Sequence, residues 1–342
     1  MIRMTKRTRE FQRNQELELL LERLGDILSE AELKAVSNFK KPDLPVILVH
    51  GCARSGTTLM MQVLADTQLF AYPSNFISRF YKAPYIGALI QLMLTDKKYC
   101  FRNEFSELDS AAINYDSSLG KTKGILSPNE FNYFWRRFFN LEDPPRNSST
   151  SLPDDVREKL LCELASLEIA LGKALVIKGL VMNWHISYLA SIIDSAVFIY
   201  VKRDELFNAQ SLLEAREKYY GDINEWYSLK PPEYAYLADK DPVTQVIGQV
   251  IYTNDAIERG LENISEDRKL SIDYQYLCTS PNEVVSNLLT LLNKKGYELK
   301  VAGKKRIMVN LVDRNMQRVD NGTWKNMEDI RDSIKSSLYK RK

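Results

Sequence analysis

Residues 45–60, PVILVHGCARSGTTLM, constrain the fold of this chain more than any other stretch. The apolar run 46–49 leads directly into Gly51-x-x-x-x-Gly56-Thr57-Thr58 and then into helix-forming residues. That is a strand, a glycine-containing loop and a helix N-terminus. Such a turn aims several backbone N–H groups and two hydroxyls at one small volume, which suits a phosphate-like anion. An ATP-binding loop of this shape places Lys before its final Ser or Thr. Here Thr57 holds that place and Arg54 brings the cation in earlier, so the expected anion is not the triphosphate of a kinase substrate.

The rest of the chain alternates in the way such a unit requires. Short apolar strands are expected at 174–177, 196–201 and 269–272, and helices at 60–69, 155–171, 186–193, 205–219, 243–264 and 281–292. Continuous apolar strands between helices predict a central parallel sheet covered on both faces, a three-layer α/β/α fold. The leucine spacing from 10 to about 39 predicts an amphipathic helix that packs on the main body or on a second subunit, which leaves a homodimer open. Residues 1–41 therefore read as a helical extension and 42–342 as the main domain. Residues 129–140, NEFNYFWRRFFN, predict an aromatic helix whose rings go to the core. Residues 106–123 read as a surface loop and LEDPPRNSSTSLPDD as a long loop within one domain. The paired-proline region 221–241 reads as a lid that, with 72–85, shapes a pocket.

Composition excludes some classes. There are 47 Lys and Arg against 45 Asp and Glu, a net charge of +2, so nothing supports a general nucleic-acid binder and any basic site must be local. The four cysteines are spread without a C-x-x-C pair, so neither disulfides nor a zinc site are expected, and no metal is assigned. Cys52, inside the loop, reads as a space-filling residue. The first residues lack the apolar core of a secretory signal, and no apolar stretch approaches the roughly 18–20 residues a transmembrane helix needs. A cytoplasmic protein is expected.

A second candidate site lies at the end of AVFIYV, which runs into Lys202-Arg203-Asp204, with Ser211 eight residues beyond Arg203. Ligands of open parallel sheets sit at the carboxyl ends of the strands, so Arg203 and the 51–58 loop can border one crevice. Two anionic positions, each with its own Arg, call for a ligand phosphorylated in two places.

With these residues the sequence resembles the sulfotransferases that use 3′-phosphoadenosine-5′-phosphosulfate (PAPS). Arg54-Ser55-Gly56-Thr57-Thr58 matches their 5′-phosphosulfate loop, and Arg203 with Ser211 matches their 3′-phosphate element in type and spacing. Ile272-Asp273-Tyr274-Gln275-Tyr276-Leu277 with Pro281 is similar to their Y-E-x-L…P signature, with Gln275 in place of Glu. Gly322-Thr323-Trp324-Lys325 is similar to their late G-x-W-K segment, which makes Arg318 the match for a further 3′-phosphate residue. The likeness runs from about residue 45 to 326. It implies a P-loop nucleoside triphosphate hydrolase-like fold, PAPS as donor, adenosine 3′,5′-bisphosphate as product and no metal. The acceptor it implies is a hydroxyl on a carbohydrate, glycolipid or other small metabolite.

Departures from the family pattern shape the expected chemistry. Lys178-Gly179-Leu180 keeps the lysine of the hormone- and phenol-directed branch but lacks its catalytic histidine, and Arg54 is more like bacterial and carbohydrate-directed members. The resemblance then implies that Arg54 and Lys178 stabilise the departing charge. Ser55, Gly56, Thr57 and Thr58 would hold the 5′-phosphate, and Arg203, Ser211 and Arg318 the 3′-phosphate. An acceptor hydroxyl needs a base. His50, His185 and Glu130 are the candidates; Glu130 is preferred, with a first-turn helix carboxylate as its alternative role. The rival functions are a small-molecule kinase and a non-catalytic nucleotide-binding protein on the same fold.

Overall fold

The computed structural model describes residues 7–102, 105, 108, 113, 115–141, 143, 145, 151–299, 307 and 309–340. Much of the 141–155 loop and the basic end Arg341-Lys342 lie outside the described residues. The strands are β1 (Val46–His50), β2 (Ser117–Ser118), β3 (Lys121–Thr122), β4 (Leu175–Lys178), β5 (Ala196–Lys202) and β6 (Lys269–Asp273). The helices are α1 (Gln15–Val36), α2 (Thr57–Asp66), α3 (Pro84–Thr95), α4 (Asn132–Phe138), α5 (Asp154–Leu171) and α6 (Ile186–Ile192). They continue with α7 (Glu205–Tyr220), α8 (Tyr234–Leu237), α9 (Pro242–Glu262), α10 (Tyr274–Thr279), α11 (Pro281–Lys294) and α12 (Asn321–Tyr339).

The main sheet has the order β4-β1-β5-β6, and every pairing in it is parallel. Successive strand residues go to opposite faces, and both faces are covered. Val46, Leu48, Ile177, Phe198 and Tyr200 pack with Phe134, Trp135, Leu164 and Leu189 from α4, α5 and α6. Ile47, Val49, Val176, Ile199 and Val201 pack with Met60, Val63 and Leu64 of α2 and with Val284 and Leu288 of α11. This is why β1, β4 and β5 read as unbroken apolar runs instead of alternating ones. Fully burying each such side chain stabilises the fold by about 1.5–3 kcal/mol. The result is the expected three-layer α/β/α arrangement.

The chain leaves β1 for β4 on one side and later crosses to β5 on the other. The β1/β5 boundary is therefore the switch point of the sheet, and its carboxyl end is where a crevice opens. A third apolar cluster joins α7, α9 and α12 through Ala209, Leu212, Val246, Val250, Met327 and Ile334. The sequence reading has no counterpart of α12, although Met327, Ile330 and Ile334 recur at helical spacing. The N-terminal helix starts at Gln15 instead of residue 10, because Asn14 caps it by accepting from the Leu17 N–H.

Candidate functional site

A cavity of about 870 Å³ opens at the carboxyl ends of the main sheet. Residues from just beyond β1, at the end of β4 and just beyond β5 and β6 line it: Arg54, Lys178, Arg203 and Tyr274. Its size is that of a site for a nucleotide-sized ligand.

Local geometry explains the loop. Arg54 (φ 70°) and Gly56 (φ 107°) are both left-handed, a curl that turns successive N–H groups toward one point. Gly56 is required there on two counts, since a Cβ would also lie 2.5 Å from Cδ2 of Tyr274. Gly56 is the N-cap of α2 and offers no side-chain cap, so the first N–H groups of that helix are left for an anion. Thr57 and Thr58 line the cavity at this point.

Most of the residues singled out by sequence converge: Arg54, Gly56, Thr57, Thr58, Glu130, Lys178, Arg203, Ser211 and Arg318 all border this cavity. Arg54 Nε donates to Ser211 Oγ at 3.3 Å. Arg203 donates to the Arg54 carbonyl (2.9 Å), the Arg314 carbonyl (3.2 Å) and Asn315 Oδ1 (2.8 Å), with its guanidinium 4.6 Å from the Tyr274 ring centroid. Burial lowers its pKa, yet a guanidinium stays charged. Arg318 is held by Glu214, Nη2 to Oε2 at 3.1 Å, in a two-pronged pair. Lys178, only 4% exposed, donates to Thr58 Oγ1 at 3.0 Å and pairs with Glu130, whose other oxygen accepts from Asn132 at 3.0 Å.

Several expectations are corrected. Ser55 does not reach the cavity: its N–H closes the turn onto the Cys52 carbonyl at 3.1 Å, and its buried hydroxyl is turned back toward Gly51. His50 is fully buried beside Asn183 (3.1 Å) and away from the cavity, and burial pushes its pKa down to about 4. His185 is buried too, against the Phe139 ring, and its pKa is also lowered by burial. Neither histidine lines the cavity. Glu130 is not a first-turn carboxylate, because α4 begins only at Asn132 after a left-handed Phe131. Residues 72–85 do not line the cavity, whereas Tyr227, Ser228 and Leu229 of the 221–241 region do. The 106–123 stretch is more than a surface loop: its β2–β3 hairpin roofs the cavity, and a Cβ on Gly120 would stand 3.3 Å from Glu130 Oε1. Lys325 points away along α12, near Asp329, while Trp324 packs on Phe207.

Sequence reasoning missed Arg314, Arg7, Lys121 and three tyrosines at the cavity wall, 219, 220 and 227. No motif marks them. Tyr274 sits inside a quoted signature, and its role is now physical: the ring backs both Gly56 and Arg203. Cys52 is inert filling, its thiol pushed up to about 12 by burial. Among the described residues no group of His, Cys, Asp and Glu is arranged to hold a metal, and no helix is long and apolar enough to cross a membrane.

His50 also makes a stability prediction. Its folded pKa lies below the ordinary value of about 6.5, so the unfolded chain takes up the proton first as pH falls. The fold should lose up to about 3 kcal/mol between pH 6.5 and about 4 through this group. Urea unfolding across that range, with His50→Gln as a non-titrating control that flattens the slope, checks it.

No family model matches the chain, and no curated protein matches it by sequence. Its structure is similar to the crystal structure of sulfotransferase STF9 from Mycobacterium avium, with a TM-score of 0.50 and 14% identity over 88% of this chain and 71% of that one. Sulfotransferase STF1 from Mycobacterium tuberculosis aligns at a TM-score of 0.49 and 10% identity over 78% and 72%. The sulfotransferase domain from the curacin biosynthetic pathway aligns at 0.42 and 16% over 74% and 75%. The parallel sheet, its switch-point cavity and the first of these likenesses agree: the chain has the sulfotransferase fold.

Proposed function

We propose that the protein transfers a sulfuryl group from PAPS to an acceptor hydroxyl, with the donor held by the domain formed by residues 42–342. The observation that carries this reading is one cavity with two separate cationic anion sites. The curled loop and uncapped α2 form one; Arg203, Arg314 and Arg318, with Ser211, form the other. A 5′-phosphosulfate and a 3′-phosphate supply two anions on one nucleoside.

In this reading Thr57, Thr58 and the first N–H groups of α2 hold the 5′-phosphate, and Tyr274 backs the loop. Arg54 rests on Ser211 and swings to the bridging oxygen as the sulfur–oxygen bond to phosphate breaks. Lys178 adds positive charge beside Thr58. Glu130 accepts the acceptor proton as the new oxygen–sulfur bond forms, and later releases it to solvent. The products are a sulfate ester and adenosine 3′,5′-bisphosphate. Asp204, the first acid after β5 in the chain, is engaged in capping α7 through the Leu206 and Phe207 N–H groups. A magnesium-binding carboxylate at that tip, which the kinase reading needs, would have to give up this cap.

Isothermal titration with adenosine 3′,5′-bisphosphate tests the proposal. Micromolar binding is expected without magnesium, weakened about 10- to 100-fold in Arg203→Ala, where one buried charge-assisted contact is lost. Binding of Mg-ATP in preference to the bisphosphate would favour the kinase reading.

A further inference from the structure

The cavity contains more positive charge than the proposed donor uses. Arg54, Arg203, Arg314 and Arg318 stand at the two donor sites, and Lys178 is paired with Glu130. Arg7, Lys121 and Arg136 border the same cavity, and none of the three makes an ion pair among the described residues. The carboxylates nearby are engaged elsewhere: Asp116 with Lys123, Asp143 with Lys230 and Glu214 with Arg318.

Arg7 and Lys121 come from distant parts of the chain and are both fixed in place. The segment carrying Arg7 is tied to the end of α7, where the Thr8 N–H donates to the Tyr219 carbonyl and the Thr8 hydroxyl to the Lys218 carbonyl, each at 2.9 Å. Phe11 is buried on the Tyr219 ring at 4.7 Å. The β2–β3 hairpin carrying Lys121 is tied to the same place by Lys218 on Ser118 (2.8 Å) and by the Tyr227 hydroxyl on the Leu119 carbonyl (3.1 Å). The Arg7 guanidinium and the Lys121 ammonium therefore both stand over the Tyr219 ring, at 5.3 and 5.9 Å from its centroid. A Cβ on Gly120, one residue before Lys121, would stand 3.3 Å from Glu130 Oε1 and 3.7 Å from Lys178 Nζ, so the hairpin passes close over that pair. Glu130 and Glu10 lie within electrostatic reach of Lys121 but are shared with Lys178 and Lys218, so the two like charges over Tyr219 are only partly offset. Burial and then Arg7 pull the Lys121 pKa down, which an anion would reverse.

We infer that the acceptor is itself an anion, a hydroxyl compound bearing a phosphate, sulfate or carboxylate group that Arg7 and Lys121 hold while its hydroxyl faces Glu130. This rests on the sulfuryl-transfer reading above. Arg136 of α4 adds a third cation at the mouth, and Tyr219, Tyr220 and Tyr227 wall the space between. The N-terminal segment is then part of the acceptor site and not an appendage to it.

Titration calorimetry on the full chain at low salt tests the inference, both free and saturated with adenosine 3′,5′-bisphosphate. The probes are matched pairs: glucose and glucose 6-phosphate, N-acetylglucosamine and its 6-phosphate, 4-hydroxybenzyl alcohol and 4-hydroxybenzoate. Within each pair the anionic member should bind about tenfold tighter or better. That preference should vanish in the Arg7→Ala/Lys121→Ala double variant, whose bisphosphate affinity stays unchanged. Equal affinities within the pairs, or a preference that survives in the double variant, would overturn it. Failure of the bisphosphate to bind would count against the donor reading instead, and the titrations of the free chain read the anion preference in either case.

Discussion

Glu130→Gln is expected to lower kcat by about a hundred- to ten-thousand-fold, the range over which a positioned general base contributes. Binding of adenosine 3′,5′-bisphosphate should change far less, because in the proposed reading Glu130 takes the acceptor proton and touches the donor site only through Lys178. The expectation rests on geometry. Of the three candidate bases only Glu130 borders the cavity; both histidines are buried elsewhere. Its two oxygens are held from opposite sides by Lys178 and Asn132, which aims the carboxylate. Glutamine preserves shape and the Asn132 contact but cannot take a proton, so a folded, donor-binding, inactive variant is the diagnostic outcome. Lys178→Met makes the complementary comparison: it removes charge beside Thr58 and leaves the carboxylate in place. Full activity in Glu130→Gln would assign proton removal to solvent and leave the carboxylate only an anchoring role for Lys178.

Except for Ser55, the residues of the proposed donor side were brought to one cavity as the sequence suggested, because they depend on backbone shape and local spacing. The loop must curl, so it needs Gly56. The strand must be covered on both faces, so AVFIYV is wholly apolar. Arg203 must follow that strand directly to stand at the switch point. Such constraints act between near neighbours and leave a pattern. Ser55 shows their limit, since a matching residue type can still turn its side chain away. The proposed acceptor side depends on contacts between segments with no fixed spacing. Arg7, Lys121 and Tyr219 meet only because a short N-terminal segment and a two-residue-stranded hairpin both dock on the end of α7. Nothing local in KRTRE or LGKTK announces that. Glu130 falls between the two cases: its residue type was suggestive, but its role turned on where α4 starts, which a left-handed Phe131 decides.

Arg137→Met should cost the fold about 3–5 kcal/mol, the range for removing one partner of a buried ion pair. Arg137, near the end of α4, donates both terminal nitrogens to the fully buried Glu163 of α5 at 2.7 Å, and Nη1 also reaches the Tyr81 carbonyl at 2.7 Å. Glu32 of α1 lies in the same electrostatic neighbourhood and accepts from the Tyr85 and Ile86 N–H groups at the start of α3. Four helices thus meet at one node with two acids and one base. Burial pushes the Glu32 pKa up to about 7, opposed by its two backbone bonds, raised again by Glu163 and lowered by Arg137. Because that folded value lies above the ordinary carboxylate value, stability from Glu32 is fully present below about pH 4.5 and is lost as pH rises through about 7. Without Arg137 that loss deepens, so chemical denaturation should show a larger deficit for Arg137→Met at pH 8 than at pH 5. Arg137→Met/Glu163→Met, which removes both charges and keeps apolar volume, should recover most of the stability. The node also bears on catalysis: Glu130 sits just ahead of α4, and Arg137 fixes that helix near its other end. Residual folded Arg137→Met should therefore turn over more slowly than wild type even where it is saturated with donor.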